Sequence, residues 1–167
     1  MRSFQTKQLA ISAVVGAAYA ALTLIFLPIA FGPVQCRVSE ALCVLPFFFP
    51  GSVWGLFVGC ILSNLVGGYG ILDIVFGSLA TLLAAWCTSK IRVRWLAPLP
   101  PVLINGIVVG ALLAKVLSPG NFLQSFFLFG AQVAVGELLA AYVLGLPILY
   151  ILPKIPFFKA RIANHYF

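Results

Sequence analysis

The chain alternates long apolar runs with short breaks, and the breaks are made of charges, glycine and proline. Residues 9–28 carry no charge and predict one helix of membrane-crossing length, since a span takes about 20 apolar residues. Phe31-Gly32-Pro33 ends it. Residues 41–72 also lack charge and are too long for one crossing. Pro50-Gly51 divides this stretch into a short helix over 36–49 and another over 52–66. Gly67-Gly68-Tyr69-Gly70 predicts a tight loop and 71–89 a fourth helix. The fifth is expected over 98–117, closed by the turn Ser118-Pro119-Gly120-Asn121. The sixth is expected over 126–152, with 122–125 interfacial. The pattern is that of an all-α, polytopic membrane protein of six helices, one integral membrane domain over 1–167 with no second, soluble one.

Composition agrees with that reading. Of 167 residues, 63% are hydrophobic and 8% charged, and mean hydropathy is +1.15. A soluble domain carries about 25% charged residues, and a domain this small could not hide so much apolar surface from water. Lipid resolves the conflict, so membrane lipid is an expected partner. The apolar run from Leu9 to Phe31 exceeds the roughly 7–15 residues of a signal-peptide core, so a retained span is expected.

The net charge of +7 does not signal nucleic-acid binding, because the basic residues gather in short clusters between apolar runs. Arg2 and Lys7 precede the first helix, Lys90, Arg92 and Arg94 follow the fourth, and Lys154, Lys159 and Arg161 follow the sixth. Six crossings with both termini inside put all eight on the cytoplasmic side and leave only Arg37 and Lys115 outside or near the outer surface. Trp54, Trp86 and Trp95 suit an aromatic belt at the inner interface. The cysteines Cys36, Cys43, Cys60 and Cys87 form no CxxC pair, and the single histidine, His165, lies far from them in sequence. They read as small apolar packing residues, and no metal site is expected.

Only three carboxylates occur, Glu40, Asp73 and Glu137, and none falls in a cytoplasmic loop. An acid at a helix centre costs about 2.5–3.5 kcal/mol on insertion scales, so each of the three needs a reason to be there. Glu137 is expected near mid-span, and Asp73 and Glu40 near outer helix ends. Arg37, three residues before Glu40, shares its helix face and is expected to pair with it. Asn64, Asn105 and Gln132 lie at similar depths. Convergent polar groups in an apolar bundle are what a small-molecule site looks like. Glu137, Asp73, Asn105, Glu40, Arg37 and Asn64 are therefore the candidate substrate-binding residues. Bland roles exist for most of them: an interfacial ion pair for Arg37–Glu40, inter-helix hydrogen bonds for Asn64 and Gln132, and a helix cap for Asp73. Helix 1 has no strongly polar group at its centre. Ala13, Ala17 and Ala21 recur every four residues, with Gly16 and Ala20 alongside. Such a stripe suits either packing in the bundle or docking of a partner helix.

Several segments resemble the queuosine-precursor transporter (QueT) family, among the substrate-binding S components of energy-coupling-factor (ECF) importers. They are Gln35-Cys-Arg37-Val-Ser39-Glu40-Ala-Leu, Leu45-Pro46-Phe-Phe, Gly55-Leu-Phe-Val-Gly59-Cys-Ile-Leu-Ser-Asn64-Leu, Leu72-Asp73-Ile-Val-Phe76-Gly77-Ser78-Leu-Ala80-Thr81-Leu-Leu and Gly136-Glu137-Leu-Leu. The resemblance implies a six-helix S component in a bacterial cytoplasmic membrane. It would bind its ligand from outside and couple through helix 1 to a transmembrane T subunit and two cytoplasmic ATPases. ATP would then be hydrolysed by those partners, with no cofactor in this chain. The sequence itself contains no GxxxxGK[ST] motif. The implied substrate is a 7-deazaguanine base, such as the aminomethyl precursor or queuine. One carboxylate could accept the adjacent ring N–H and exocyclic amine of such a base, while Asn105, Asn64 or Arg37 meets its carbonyl. Tyr69, Phe76, Phe129 or Tyr142 could stack on it. Two other readings stay open: an S component for another vitamin such as thiamine, and an intramembrane enzyme.

Overall fold

The computed structural model describes residues 2–31, 35–68, 70–159 and 162, and all regular elements among them are helical. Helix α1 is Arg2–Ile25, followed by the short turn Leu27–Ala30. Helix α2, Val38–Phe47, is wound as a 3-10 helix, and α3 is Ser52–Gly67. Helix α4 opens with a π turn, Asp73–Gly77, and continues as Ser78–Lys90. Helix α5 is Leu99–Leu117. Helix α6 runs through Phe122–Leu138, a π segment Leu139–Gly145 and Leu146–Ile151.

Among the described residues, helices overlap each of the six predicted stretches, with shifted ends. Residues 122–125, expected as an interfacial stretch, are the first turn of α6. Helix 1 starts well before residue 9 and breaks at Phe26 rather than at Pro28, because Pro28 is accommodated in the first turn of Leu27–Ala30. Gly32, Pro33 and Tyr69, expected in breaking loops, and Arg161 and His165 lie outside the described residues. Among the described residues, three helical stretches, Gln8–Ile25, Arg94–Leu117 and Pro119–Lys154, are long and apolar enough to cross a membrane, while Val38–Phe47 and Ser52–Gly67 are shorter apolar helices. Leu9, Val14, Ile71, Leu123, Phe127 and Val143 are all at least three-fifths exposed, which suits a surface solvated by lipid tails. Trp54, Trp86 and Trp95 are exposed too.

The helices close into a ring, α1 to α3 to α4 to α5 to α6 to α2 and back to α1, and α2 also crosses to touch α4. This puts α2 inside the bundle, and seven of its ten residues are buried. Its 3-10 winding rises about 2.0 Å per residue and brings side chains three apart into one column. Glu40, Cys43 and Pro46 form such a column, and all three are buried.

Glycines bring the backbones together. A Cβ on Gly16 would sit 2.7 Å from the Gly55 carbonyl oxygen, and one on Gly59 would sit 2.6 Å from the Gly16 carbonyl oxygen. One on Gly55 would collide with the Ser12 carbonyl. Helices α1 and α3 therefore meet through small residues, the packing mode that lipid-embedded helices favour. Gly106, Gly110 and Gly130 serve the α5–α6 contact in the same way. The small residues of α1 thus divide by face. Gly16 packs inward, and Ala13, Ala17 and Ala21 are exposed.

Gly55→Ala is expected to lower stability by about 1–3 kcal/mol through overpacking. Gly120→Ala, which meets nothing within 4 Å, should leave it nearly unchanged. Thermal unfolding in detergent measures both, and equal midpoints for the two variants would exclude the close α1–α3 contact.

Candidate functional site

All three carboxylates of the chain are buried, Glu40 and Asp73 completely and Glu137 to 2% exposure. Arg37, Gln35, Asn64 and Asn105 are buried with them, none above 4%. Every main helix or its leading loop contributes. The site lies toward the end of the bundle where α1 and α3 finish and α2 and α4 begin, with Asn105 and Glu137 reaching it from within α5 and α6.

Arg37 enters at the start of α2. The expected pairing with Glu40 is corrected by the geometry: Arg37 Nη2 lies 3.5 Å from Asp73 Oδ2. The 3-10 winding does place residues 37 and 40 one turn apart. Glu40, however, is engaged elsewhere, and the π turn opening α4 delivers Asp73 to the guanidinium. The rest of Arg37 is held by the Phe31 ring, 4.7 Å beneath it, and by Cys60 Sγ at 3.8 Å. Asn64 Nδ2 donates to the Asp73 carbonyl at 3.0 Å, tying the end of α3 to the start of α4. Gly77 lets that side of the site close up, since a Cβ there would sit 2.7 Å from Asp73 Oδ1 and 3.0 Å from Asn64 Nδ2.

Glu40 is surrounded by donors. Tyr19 on α1 donates its hydroxyl to Oε1, Cys43 donates to Oε2 at 2.8 Å, and Thr81 on α4 donates to Oε1 at 3.4 Å. Thr81 also reaches Cys60 on α3 at 3.3 Å. One turn along α1, Thr23 shares a hydrogen bond with Ser39 at 2.7 Å. Helix 1, read as having no strongly polar group at its centre, still contributes two hydroxyls to this network, Tyr19 and Thr23, both fully buried. Their four-residue spacing on one face was the available signal. Cys43 and Cys60, expected as plain apolar filler, are partners in this network.

Glu137 faces the other side of the site. Asn105 donates its Nδ2 to Glu137 Oε1 at 2.8 Å, and Glu137 lies within electrostatic reach of Glu40 and Arg37. The candidate residues thus form one neighbourhood. It is unevenly satisfied: Glu137 Oε2, Asn105 Oδ1, Asn64 Oδ1, Arg37 Nε and Gln35 Nε2 are buried with no hydrogen-bond partner among the described residues. Buried polar atoms without partners cost about 1–3 kcal/mol each, and such atoms converging on one place mark where a guest or water binds. Gln35 was missed as a site residue, because an amide beside a predicted helix start gives no periodic signal.

The aromatic expectations fare differently. Phe76 faces outward and is half exposed. Phe129 packs on Val109, Leu113 and Val133, Tyr142 is half-buried, and Tyr69 lies outside the described residues. Among the described residues, Phe31 lies against the site through Arg37, and Tyr19 through Glu40.

The pattern that defines the QueT transporter family matches residues 9–154. The chain belongs to that family. A curated relative from Lactococcus lactis subsp. cremoris (strain MG1363), named queuosine precursor transporter QueT, is 33% identical over 84 residues, covering 49% of this chain and 49% of the relative. The match therefore spans about half the length of that protein. No solved structure matches significantly. The family is one of transporters, in keeping with a helical chain whose outer surface is apolar and whose interior holds a polar cluster.

The two sides of the site should separate by mutation. Glu40→Ala strips the acceptor from Tyr19, Cys43 and Thr81, and is expected to lower ligand-free stability by about 1–3 kcal/mol. Glu137→Gln, with one oxygen already unpartnered, should change it by under about 1 kcal/mol. Unfolding of the ligand-free protein measures both, and the reverse order would show that Glu137 rather than Glu40 holds the bundle.

Proposed function

We propose that this chain is the membrane-embedded, substrate-binding S component of an ECF-type importer for a queuosine precursor, a 7-deazaguanine base. The observation that carries the reading is the burial of the chain's three carboxylates together with Arg37, which pairs with Asp73, with unpartnered acceptors left on Glu137 and Asn105. The Asn105–Glu137 hydrogen bond leaves Glu137 Oε2 and Asn105 Oδ1 as two acceptors. A guanine-like edge offers two adjacent donors, the ring N–H and the exocyclic amine, and so suits that pair. An aminomethyl substituent is cationic near neutral pH, and three carboxyl groups against one guanidinium suit such a guest better than an anionic vitamin. Family membership and the name of the Lactococcus relative support the same substrate class.

Direction follows from charge. The clusters at Arg2 and Lys7, at Lys90, Arg92 and Arg94, and at Lys154, Lys159 and Arg161 favour six crossings with both termini cytoplasmic. In that arrangement the Arg37–Asp73 end of the bundle faces outward, where a scavenged base arrives. Energy comes from partners, a transmembrane T subunit and two ATPases, and the chain does no chemistry on its substrate. The exposed Ala13, Ala17 and Ala21 give helix 1 a flat outer face for the T subunit.

In purified protein, a deazaguanine base at 100 times its dissociation constant should stabilise the fold by about 2.7 kcal/mol, read as a rise in melting temperature. Glu137→Gln should weaken that binding by roughly 10–100-fold, the loss of one charge-assisted hydrogen bond. A shift with thiamine and none with any deazaguanine would overturn the substrate. Turnover of a substrate by the isolated chain would overturn the transport reading.

A further inference from the structure

The ring of helices does not close evenly. Helices α1 and α6 reach each other chiefly through α2, and a crevice of about 490 Å³ opens between them. Its twelve lining residues are all apolar, among them Ile11, Val14 and Ala18 of α1, Leu45 of α2 and Ile148 of α6. Through Ile11 and Leu45 one wall belongs to the apolar cluster around Tyr19 and Leu56, and through Ile148 and Leu152 the other belongs to the cluster around Phe48 and Leu149. Packed protein interiors hold few voids larger than a water molecule, and the α1–α3 and α5–α6 contacts close up on glycines. A crevice of this size is therefore a place that something else fills.

The lining fixes the chemistry of the occupant. A polar guest would give up its hydrogen bonds to water and find no side-chain partner there, so the occupant is hydrocarbon. From Ala10 to Ala18 the crevice follows α1 for about 12 Å at 1.5 Å per residue, close to the roughly 15 Å that one leaflet contributes to the hydrocarbon core. Val14 and Phe157 on its rim are more than half exposed, so it opens sideways, toward lipid. Charge identifies the other end of the occupant. Leu152 and Phe158 line the crevice, and the exposed Lys154 and Lys159 follow them by two residues and by one. Lys7 stands four residues before Ile11 on α1, the spacing of one helix face. This chain offers these cations no acidic side chain, because its three carboxylates are Glu40, Asp73 and Glu137, all buried in the site described above. Basic residues beside a groove between membrane helices are the pattern that holds anionic lipid headgroups.

We infer that the crevice is a binding site for one anionic phospholipid, with an acyl chain seated between α1 and α6 and the headgroup held by Lys154 and Lys159. Lysine reaches a headgroup at the interface while its stem lies along apolar surface. The seated tail bridges two apolar clusters that protein atoms leave apart. It does so at the end of the bundle opposite Arg37 and Asp73. In the orientation proposed above that end faces the cytoplasm, and the inner leaflet supplies the lipid. Nothing in this inference depends on what the carboxylate site binds. A neutral phospholipid offers the same tail without the net charge, so the two contributions separate: the lysines choose the lipid, and the crevice holds its chain.

The test places the purified chain in nanodiscs holding equal amounts of dioleoyl phosphatidylglycerol and dioleoyl phosphatidylcholine, then releases it into mild detergent. Native mass spectrometry counts the lipids it keeps. Wild type is expected to keep one lipid and to favour phosphatidylglycerol by roughly 30-fold, the effect of two lysines beside an anionic headgroup. Lys154→Gln and Lys159→Gln together should bring that preference within about threefold. Lys115→Gln, at the opposite end of the bundle, should leave it unchanged. Ala18→Phe fills the crevice and should cut retention of both lipids by roughly tenfold, the effect of displacing about two buried methylenes. Equal retention of the two lipids by wild type, or a preference that survives loss of both lysines, would overturn the headgroup site. Retention unchanged in Ala18→Phe would overturn the seat of the tail, and loss of a co-purifying membrane partner in that variant would then give the crevice to a partner helix. If Ala18→Phe fails to fold, dihexanoyl phosphatidylglycerol offered to wild type still decides. Its short tails should leave it held roughly tenfold more weakly or worse, and retention equal to the dioleoyl lipid would show that the basic surface binds alone and overturn the inference.

Discussion

The structure turns on burying charge in a medium that cannot solvate it. Arg37, Glu40, Asp73 and Glu137 lie inside a bundle whose outer surface is hydrocarbon. An unpaired ion there costs several kcal/mol even after relaxation. The chain meets this cost by making every helix contribute a polar partner. Tyr19 comes from α1, Cys43 from α2, Cys60 and Asn64 from α3, Asp73 and Thr81 from α4, Asn105 from α5 and Glu137 from α6. The network therefore fixes the relative register of helices that apolar packing alone would let slide. In lipid there is little hydrophobic force between helices to do that work.

Irregular backbone makes the convergence possible. A straight α-helix presents a given face only every three to four residues. Helix α2 escapes this by 3-10 winding, which sets Glu40, Cys43 and Pro46 in one column. Asp73 opens a π turn, and Glu137 lies two residues before another. A π turn inserts a residue and re-aims the side chains on either side of it, and such turns gather at functional sites. The distortions occur where the carboxylates are, while α3, which brings Cys60 and Asn64, and α5, which brings Asn105, are regular throughout.

Much of this was legible in the sequence, because membrane helices announce themselves by unbroken apolar runs and the scarcity of charge makes each acid conspicuous. The six helices and the six candidate residues came from that signal, and the geometry gathers all six. What could not be read was who pairs with whom. Arg37 and Glu40 are three apart and look like partners, yet the tertiary fold gives Arg37 to Asp73 and Glu40 to Tyr19, Cys43 and Thr81. Those contacts span 21 to 41 residues, apart from the local one to Cys43. Local spacing carries no information about them. Gln35 was invisible for a related reason: its distinguishing properties are a backbone angle, φ 46°, and a missing partner, and neither is written in residue type.

The polar interior divides into a satisfied half and an unsatisfied half, and the division has a physical consequence. Around Glu40 both oxygens are taken, so this region supports the fold whether or not a ligand is present. Around Glu137 and Gln35 donors and acceptors stand open. A ligand that completes them gains not only its own hydrogen bonds but relief of penalties the empty site already carries. One that leaves any of them unmet forfeits both, so affinity and selectivity come from the same atoms. Arg37 belongs to both halves, tied to Asp73 at one nitrogen and open at another. Through the start of α2 it stands three residues from Glu40, and Glu40 is bonded to Tyr19 on the inner face of α1. The outer face of that helix carries the exposed alanines. The Glu40–Tyr19 bond therefore joins the start of α2, one 3-10 turn beyond Arg37, to a helix with a buried polar side and a flat apolar side.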